Sequence, residues 1–206
     1  MKTKIFALVL CFALLAISLF SCAGKSDNPY GLSEKEMSEV RTFIAHESGV
    51  PEGNYSIIKQ DGYGKIYEWT SYDADGKVTT TSEYEYDGIV ITKITIRDAQ
   101  GNEILCLADT LDENGKIITR NVYLDGELGQ TQFFKDDNGQ EIPAEEAGVV
   151  YVKYDELGRI CSSRQLNGDG TESLTLTEFG PLGLVSEINY LDGEEVHRIE
   201  LKEQAE

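Results

Sequence analysis

The feature that most constrains this chain is a turn that recurs along most of its length. An acidic residue is followed by two spacers, a glycine, one or two further residues and an aliphatic side chain. Five such turns and a sixth, degenerate one occupy 73–78, 98–104, 112–117, 136–142, 155–160 and 179–185. Asp accepts hydrogen bonds from backbone N–H groups ahead of it, and Gly adopts the positive φ that such a turn requires. Asp-Gly pairs, typical of two-residue hairpins, occur at 87–88, 125–126 and 192–193.

Between the turns, side chains alternate with a period of two residues. In 78–86, Val78, Tyr84 and Tyr86 belong to one set, and Thr79 and Glu83 to the other. This alternation predicts a strand with one buried face. It repeats in 90–97 and, more weakly, in 117–123, 149–154, 159–166, 172–179, 184–191 and 195–201. The sequence therefore predicts stacked hairpin repeats over 55–201, each contacting mainly its neighbours.

Residues 1–21 differ from the rest of the chain. Lys2 and Lys4 precede an apolar run over 5–20. That run is shorter than the roughly 20 residues that a membrane-spanning helix needs. A basic start, an apolar core and a small residue before the cleavage site are typical of a secretory signal peptide.

Residues 19–22, Leu-Phe-Ser-Cys, resemble the lipobox of bacterial lipoproteins. The resemblance implies cleavage before Cys22 and lipidation of Cys22, which would anchor the protein in the cell envelope. Ala23 stands where an Asp would favour inner-membrane retention, so the resemblance favours the outer membrane. The alternatives are a plain signal peptide or an uncleaved anchor, with Cys22 there by chance.

The charge of the mature chain excludes one broad class of partner. Without the two lysines of 1–21, 37 acidic and 16 basic side chains remain, a net charge of −21. This excludes a protein that holds nucleic acid through a broad basic face. The acidity suits a cationic partner or simply solubility.

The start of the mature chain has a different pattern from the repeats. Residues 22–31 form a short, polar segment that contains a proline, which predicts a tether. Ser33 and Glu36 form a capping-box pattern, followed by apolar residues at helical spacing up to Ile44. We therefore expect one helix over 32–49, packed on an apolar face of the sheet or lying on a membrane surface.

Several segments carry a resemblance to known repeats. Residues 154–160, Tyr-Asp-Glu-Leu-Gly-Arg-Ile, resemble the core of the YD repeat of RHS-type proteins, and 72–78 and 84–87 are similar. Residues 114–126 resemble a variant MORN repeat. The likeness covers about 60–195 and implies consecutive β-hairpins without catalytic residues of their own.

Three kinds of residue could carry chemistry. Turns at 73–76, 136–139 and 167–172 resemble calcium loops, but none has the bidentate Glu of an EF-hand, and we interpret them as hairpin turns without metal. Cys106 and Cys161 could form a disulfide or remain two buried free thiols. No phosphate loop, Cys-x-x-Cys, His-Glu-x-x-His or nucleophile–base pair is visible, so we predict no catalytic residue and no cofactor.

Aromatic residues are concentrated in 63–86. Six of them could form a strip of rings on neighbouring strands: Tyr63, Tyr67, Trp69, Tyr72, Tyr84 and Tyr86. Such a strip suits a protein or glycan ligand. The alternative is cross-strand pairing that stabilises a thin sheet.

These observations predict a mainly β protein. We expect an antiparallel meander of β-hairpin repeats, a single-layer or curled sheet with exposed edge strands, and one N-terminal α-helix. The predicted function is a non-enzymatic cell-envelope lipoprotein that presents a β-repeat surface for protein or glycan binding. The alternatives are an acidic immunity-like inhibitor that neutralises a toxin, a hydrolase, or a purely structural envelope protein.

Overall fold

The structure, a computed structural model, describes residues 29–87 and 90–204. The predicted signal peptide over 1–21, Cys22 and most of the predicted tether over 22–31 lie outside the described residues. The described part contains a helix α1 (Glu34–Met37), a 3₁₀ turn (Ala144–Glu146) and thirteen β-strands. The strands are β1 (Arg41–Glu47), β2 (Tyr55–Gln60), β3 (Ile66–Tyr72), β4 (Val78–Asp87), β5 (Val90–Asp98), β6 (Glu103–Leu111), β7 (Ile117–Leu124), β8 (Glu127–Asp136), β9 (Val149–Tyr154), β10 (Ile160–Leu166), β11 (Glu172–Gly180), β12 (Gly183–Leu191) and β13 (Glu194–Glu203).

The strands close into a barrel. Each strand pairs with its neighbours in sequence, and β1 also pairs with β13, from Phe43 opposite Glu203 to Glu47 opposite Ile199. The prediction of a mainly β protein is confirmed. The open or merely curled sheet is wrong, because β1 occupies the gap between β13 and β2 and leaves no exposed edge strand in the described sheet.

The number of strands explains one irregular connection. Strand directions cannot alternate around a closed ring with an odd number of strands, so at least one neighbouring pair must be parallel. Among the described strands that pair is β8 and β9, with Phe133 opposite Val149. Residues 137–148 form the crossover between them. The hairpin turn predicted at 136–142 is therefore wrong, although its Asp and Gly are present.

The helix predicted over 32–49 is also wrong beyond its first turn. The capping box forms, since the Glu36 N–H donates to Ser33 Oγ at 3.3 Å and the Ser33 N–H donates to Glu36 Oε2 at 2.8 Å. The chain then leaves the helix after Met37. Phe43 and Ala45 are buried and alternate with partly exposed neighbours, which is the period of a strand. Backbone pairing on both sides of β1 outweighs the helical spacing of its apolar residues.

Most wide turns form as predicted. The Asp73 N–H donates to Lys77 O at 2.9 Å, and the Gly76 N–H donates to Asp73 O at 3.0 Å. Asp73 Oδ1 accepts from the N–H groups of Asp75 and Lys77, both at 2.9 Å. The same backbone pattern closes 61–65, 98–102, 112–116, 155–159 and 167–171. The Asp-Gly turns at 125–126 and 192–193 are confirmed, with φ of 50° at both Asp residues, whereas Gly88 lies outside the described residues.

Alternating strand directions sort the turns into two ends of the barrel. We call one the Tyr30 end, because Tyr30 bonds there; it carries the turns 61–65, 112–116, 155–159 and 181–182. The opposite end carries the turns 48–54, 73–77, 98–102, 125–126, 167–171 and 192–193.

Three apolar clusters fill much of the interior. The first lies on β5–β7, the second on β1–β3, β12 and β13, and the third on β7–β10. Leu107 of the first, Ile58 of the second and Val150 of the third are almost fully buried, and each such side chain contributes about 1.5–3 kcal/mol on burial. Gln60 links strands within the barrel, because its Nε2 donates to Leu184 O at 2.8 Å and its Oε1 accepts from the Leu184 N–H at 3.0 Å.

Candidate functional site

The six predicted aromatic residues do not form one exterior strip. Trp69 lies in the second apolar cluster, and Tyr84 packs against both the first and the second. The Tyr86 hydroxyl donates to Ile66 O. Burial raises the pKa of Tyr84 and Tyr86 well above the usual value for tyrosine. Half of the predicted strip is therefore turned into the barrel, where it stabilises the fold.

The other three aromatics are spread over the surface. Tyr63 and Tyr72 are half-buried, and Tyr72 stacks on Tyr55 with ring centroids 5.0 Å apart. That contact is the cross-strand pairing weighed as the alternative. Tyr67 is 48% exposed, and its hydroxyl donates to Asp61 Oδ2 at 3.1 Å. Burial and the Asp61 carboxylate raise the pKa of Tyr67 to about 12.

The disulfide considered between Cys106 and Cys161 is absent, and both thiols are free. Cys106 lies on β6 and Cys161 on β10, so four strand spacings of about 4.8 Å separate their strands. A disulfide needs Cα atoms about 4.4–6.8 Å apart. Burial raises the pKa of both thiols, which disfavours the thiolate.

A cleft of about 370 Å³ lies at the Tyr30 end. Its lining includes Tyr30, Arg159, Cys161 and Phe179. Arg159 is buried and fully engaged: Nε donates to Asp155 Oδ2 at 2.7 Å, and the guanidinium lies 4.2 Å from the centroid of the Phe179 ring. Its donors also reach the Tyr30 hydroxyl and the carbonyl oxygen of Gly62. Arg159 therefore holds the structure together here, and is not available to an anionic ligand.

A chain of buried polar side chains runs from strand to strand along the barrel wall, from β11 through β12, β13, β1 and β2 to β3. Thr175 Oγ1 donates to Asn189 Oδ1 at 2.7 Å, and Asn189 Nδ2 donates to Glu187 Oε1 at 3.3 Å. Asn189 Nδ2 also lies 3.5 Å from Nδ1 of His197. Burial raises the pKa of Glu187 to about 8, because a charged carboxylate is poorly solvated inside the barrel.

The chain continues from the imidazole to two serines. Nε2 of His197 lies 3.7 Å from Glu47 Oε2, and Ser56 Oγ donates to Glu47 Oε1 at 2.7 Å. Ser56 Oγ is 2.9 Å from Ser71 Oγ. These residue types could serve acid–base chemistry, but His197, Glu47 and Ser56 are buried, so a substrate has no access to them without opening the barrel. Their role in this geometry is structural.

An apolar surface that the sequence analysis did not single out lies on the outside of β7 and β8. We call it the β7–β8 face and define it by Ile118, Tyr123, Leu128 and Phe133. Leu128 is 57% exposed, Phe133 56% and Ile118 43%. Leu128 lies directly opposite Tyr123, and Phe133 lies opposite Thr119. The sequence signal was partial, because Tyr123 and Phe133 occupy positions that alternate with the buried Val122, Gln132 and Phe134. Ile118 and Leu128 have the parity of the buried set and lie outside only because the register shifts beside each of them.

Within the described residues, two kinds of feature were not found: a cluster of metal ligands and a membrane-spanning helix. They contain no group of three or more His, Cys, Asp or Glu side chains placed to hold a metal ion. None of the helical segments in the same ranges has the length and hydropathy needed to span a bilayer. In comparisons with known proteins, no family model matches this chain and no curated protein is similar to it.

Proposed function

We propose that this chain is a non-enzymatic lipoprotein of the bacterial cell envelope, anchored through Cys22, that binds a protein partner through the β7–β8 face. The observation that carries the proposal is the exposure of two large apolar side chains, Leu128 and Phe133, on one strand of this face. Single exposed apolar residues are ordinary, whereas a grouped set on one face is typical of an interaction surface.

The neighbours of these side chains extend the surface. Tyr123 faces Leu128 across the strand pair, Ile118 precedes Thr119, and Val149 lies beside Phe133 on the parallel strand. Thr131 lies between Leu128 and Phe133 on β8, and its Oγ1 donates to Asn121 Oδ1 on β7 at 2.8 Å. These two polar side chains therefore satisfy each other. Removing such apolar area from water yields about 25 cal/mol per Å².

The composition of the β7–β8 face favours a protein over a glycan. Leu128, Ile118 and Phe133 offer no hydrogen-bonding group to sugar hydroxyls, and unpaired hydroxyls are costly to desolvate. A protein partner can cover the face with apolar side chains of its own. The exposed carboxylates of Asp125 and Glu127 next to Leu128 suit basic residues at the rim of that partner.

The inhibitor alternative has one observation in its favour. Most of the described Lys and Arg side chains form ion pairs with acidic residues, which leaves the surplus carboxylates to set the exterior charge. A basic toxin would be steered toward such a surface. The identified partner distinguishes the two functions. Its isoelectric point and its activity show whether it is a basic toxin.

The test compares two pairs of substitutions in the mature lipoprotein. Leu128→Ser with Phe133→Ser removes the centre of the β7–β8 face, and Leu176→Ser with Val185→Ser removes apolar residues of 40% and 39% exposure from β11 and β12. Envelope proteins retained by the native chain are identified and purified, and their dissociation constants are measured by calorimetry.

We expect at least tenfold weaker binding, equivalent to about 1.4 kcal/mol, for the first pair and a change within twofold for the control. Thermal unfolding verifies that both variants are folded. Equal affinities for the two variants would contradict the proposed site, and retention of no partner by the native chain would contradict the binding function.

A further inference from the structure

We infer that the Tyr30 end of the barrel faces the lipid surface and that the opposite end points away from it. The inference rests on the proposed lipidation of Cys22 and adds an orientation to it. The opposite end and the outer wall, including the β7–β8 face, would then be the surfaces open to a partner.

The first observation is a latch at the start of the described chain. The Tyr30 hydroxyl accepts from Arg159 Nη2 at 3.0 Å and donates to the backbone oxygen of Phe179 at 3.1 Å. Arg159 is itself fixed by Asp155 at 2.7 Å. The phenol of Tyr30 therefore joins the start of the described chain to the β9–β10 turn and to the end of β11.

A second contact fixes the segment that follows. The Gly62 N–H donates to Met37 O at 2.8 Å, and Met37 is fully buried. A Cβ atom at Gly62 would lie 2.7 Å from Pro181 O, so the chain here packs backbone against backbone. Tyr30 and Met37 together hold the segment 30–37 against the Tyr30 end.

The length of chain between Cys22 and Tyr30 limits how the barrel can be oriented relative to the lipid surface. Eight residue steps span at most about 29 Å when fully extended. A nine-residue strand tilted as in a barrel extends about 23 Å along the axis. The opposite end could reach the lipid only if nearly all of this maximum reach ran along the barrel wall, so an anchored Cys22 keeps the Tyr30 end nearest to the lipid.

The distribution of charge between the two ends favours the same orientation of the barrel. The turns of the opposite end carry seven carboxylates, with Lys77 as their one cation: Glu52, Asp73, Asp75, Asp98, Asp125, Asp169 and Asp192. The described turns of the Tyr30 end carry five carboxylates and three cations, Lys65, Lys116 and Arg159. The segment 30–37 held against them adds Glu34, Glu36 and Lys35, so this end remains the less acidic of the two. An anionic bilayer surface repels the more acidic end within about one Debye length, roughly 8–10 Å at physiological salt.

Two equivalent positions allow a direct test. Asn114 and Gln100 are the third residues of two wide turns, at the Tyr30 end and the opposite end respectively, and both are exposed. In each, the backbone N–H donates to the first Asp of the turn, at 2.8 Å and 2.9 Å. Asn114→Cys and Gln100→Cys, each in a background with Cys106→Ser and Cys161→Ser, place one fluorophore at either end.

The labelled full-length lipoproteins, purified with their native N-terminal modification, are reconstituted into vesicles of phosphatidylcholine and phosphatidylglycerol with a headgroup quencher. We expect at least twofold stronger quenching at position 114 than at position 100. Equal or reversed quenching on vesicle-bound protein would overturn the orientation alone. Failure of the native protein to float with the vesicles would overturn the lipid anchor, and the orientation with it.

Removing the latch supplies the second measurement. Tyr30→Ala frees the chain up to Met37 and nearly doubles the tether, so the difference between positions 114 and 100 should narrow while flotation is retained. Tyr72→Ala, which removes a surface ring far from the latch, should leave the difference unchanged. The fold of the Tyr30→Ala protein is verified by circular dichroism. If its quenching still differs between positions 114 and 100 as much as in the native protein, the hydrogen bonds of Tyr30 do not set the orientation.

Discussion

The hydroxyl of Tyr30 accepts a hydrogen bond of 3.0 Å from the guanidinium of Arg159, 129 residues further along the chain. The same hydroxyl donates to the carbonyl oxygen of Phe179. The start of the described chain is thereby joined to the β9–β10 turn and to the end of β11, which lie much later in the sequence. The stability of the N-terminal segment depends on that phenol.

Tyr30→Phe should lower the free energy of unfolding by about 1–2 kcal/mol, because the ring remains while two hydrogen bonds are lost. Urea unfolding measures the change. Tyr72→Phe is the matched control, since the described structure shows no hydrogen bond to that hydroxyl, and it should stay within about 0.5 kcal/mol. Equal losses in the two variants would contradict the role of the Tyr30 hydroxyl.

The buried ion pair between Asp109 and Arg120 should be far more sensitive to substitution. Nε and Nη2 of Arg120 donate to the two carboxylate oxygens of Asp109, both at 2.7 Å, and both side chains are buried. Asp109→Ala leaves a buried guanidinium without its carboxylate, so we expect a loss of about 3–5 kcal/mol.

The control for this prediction is the exposed pair of Asp75 and Lys77, in which both side chains are more than three-quarters exposed. Asp75→Ala should change stability by less than about 1 kcal/mol. If Asp109→Ala lowered the free energy of unfolding by no more than Asp75→Ala does, the buried pair would not hold β6 to β7.

Glu187 should make stability fall as pH rises. Burial raises its pKa in the folded state to about 8, against 4.5 for an ordinary glutamate in water. Between these values the folded protein holds a proton that the unfolded chain has lost, so the stabilisation is complete below 4.5 and disappears as pH rises toward 8. Glu187→Gln should remove this slope and raise stability at pH 8 by an amount of the order of a few kcal/mol.

Urea unfolding between pH 5 and pH 9 tests this prediction. The neighbouring His197 and Glu47 are present in both proteins, so the difference between native and Glu187→Gln isolates the contribution of one carboxyl. Glu127→Gln, at an exposed position on β8, should leave the slope as it is. A native protein that becomes more stable over this range relative to Glu187→Gln would contradict the sign.

The two thiols should react at different rates and never with each other. Cys161 is partly exposed and Cys106 is buried, so a maleimide should modify Cys161 first in the folded protein and both in urea. Mass spectrometry under non-reducing conditions should show Cys106 and Cys161 as free thiols. An intramolecular disulfide in freshly purified protein would contradict the separation of β6 from β10.

The sequence predicted the local structure of the repeats well, because their signals are local. Asp73, Asp112 and Asp155 each accept from their own turn, so the turn depends on residues within five positions. The closure of the barrel could not be predicted in this way. It depends on the pairing of Ala45 with Leu201, residues at the two ends of the domain, and on a strand whose apolar spacing also fits a helix.

The placement of the aromatic residues was equally beyond the local pattern. Period two predicts that Tyr84 and Tyr86 share a face, but an open sheet has two exposed faces and a barrel has one. Once the sheet closes, that face becomes the interior, and an exposed apolar residue such as Phe133 belongs to the other set. Leu128 lies outside because the register of β7 and β8 shifts beside it, which alternation does not predict.

The measurement that tests the central claim most directly is site-specific photocrosslinking in intact cells. A photoreactive amino acid is placed at Phe133 and, as the control, at Leu176, whose exposure is comparable but which lies on β11. The account predicts a discrete protein adduct at position 133 and none at 176. No adduct at 133, or the same adducts at both positions, would contradict a function carried by the β7–β8 face.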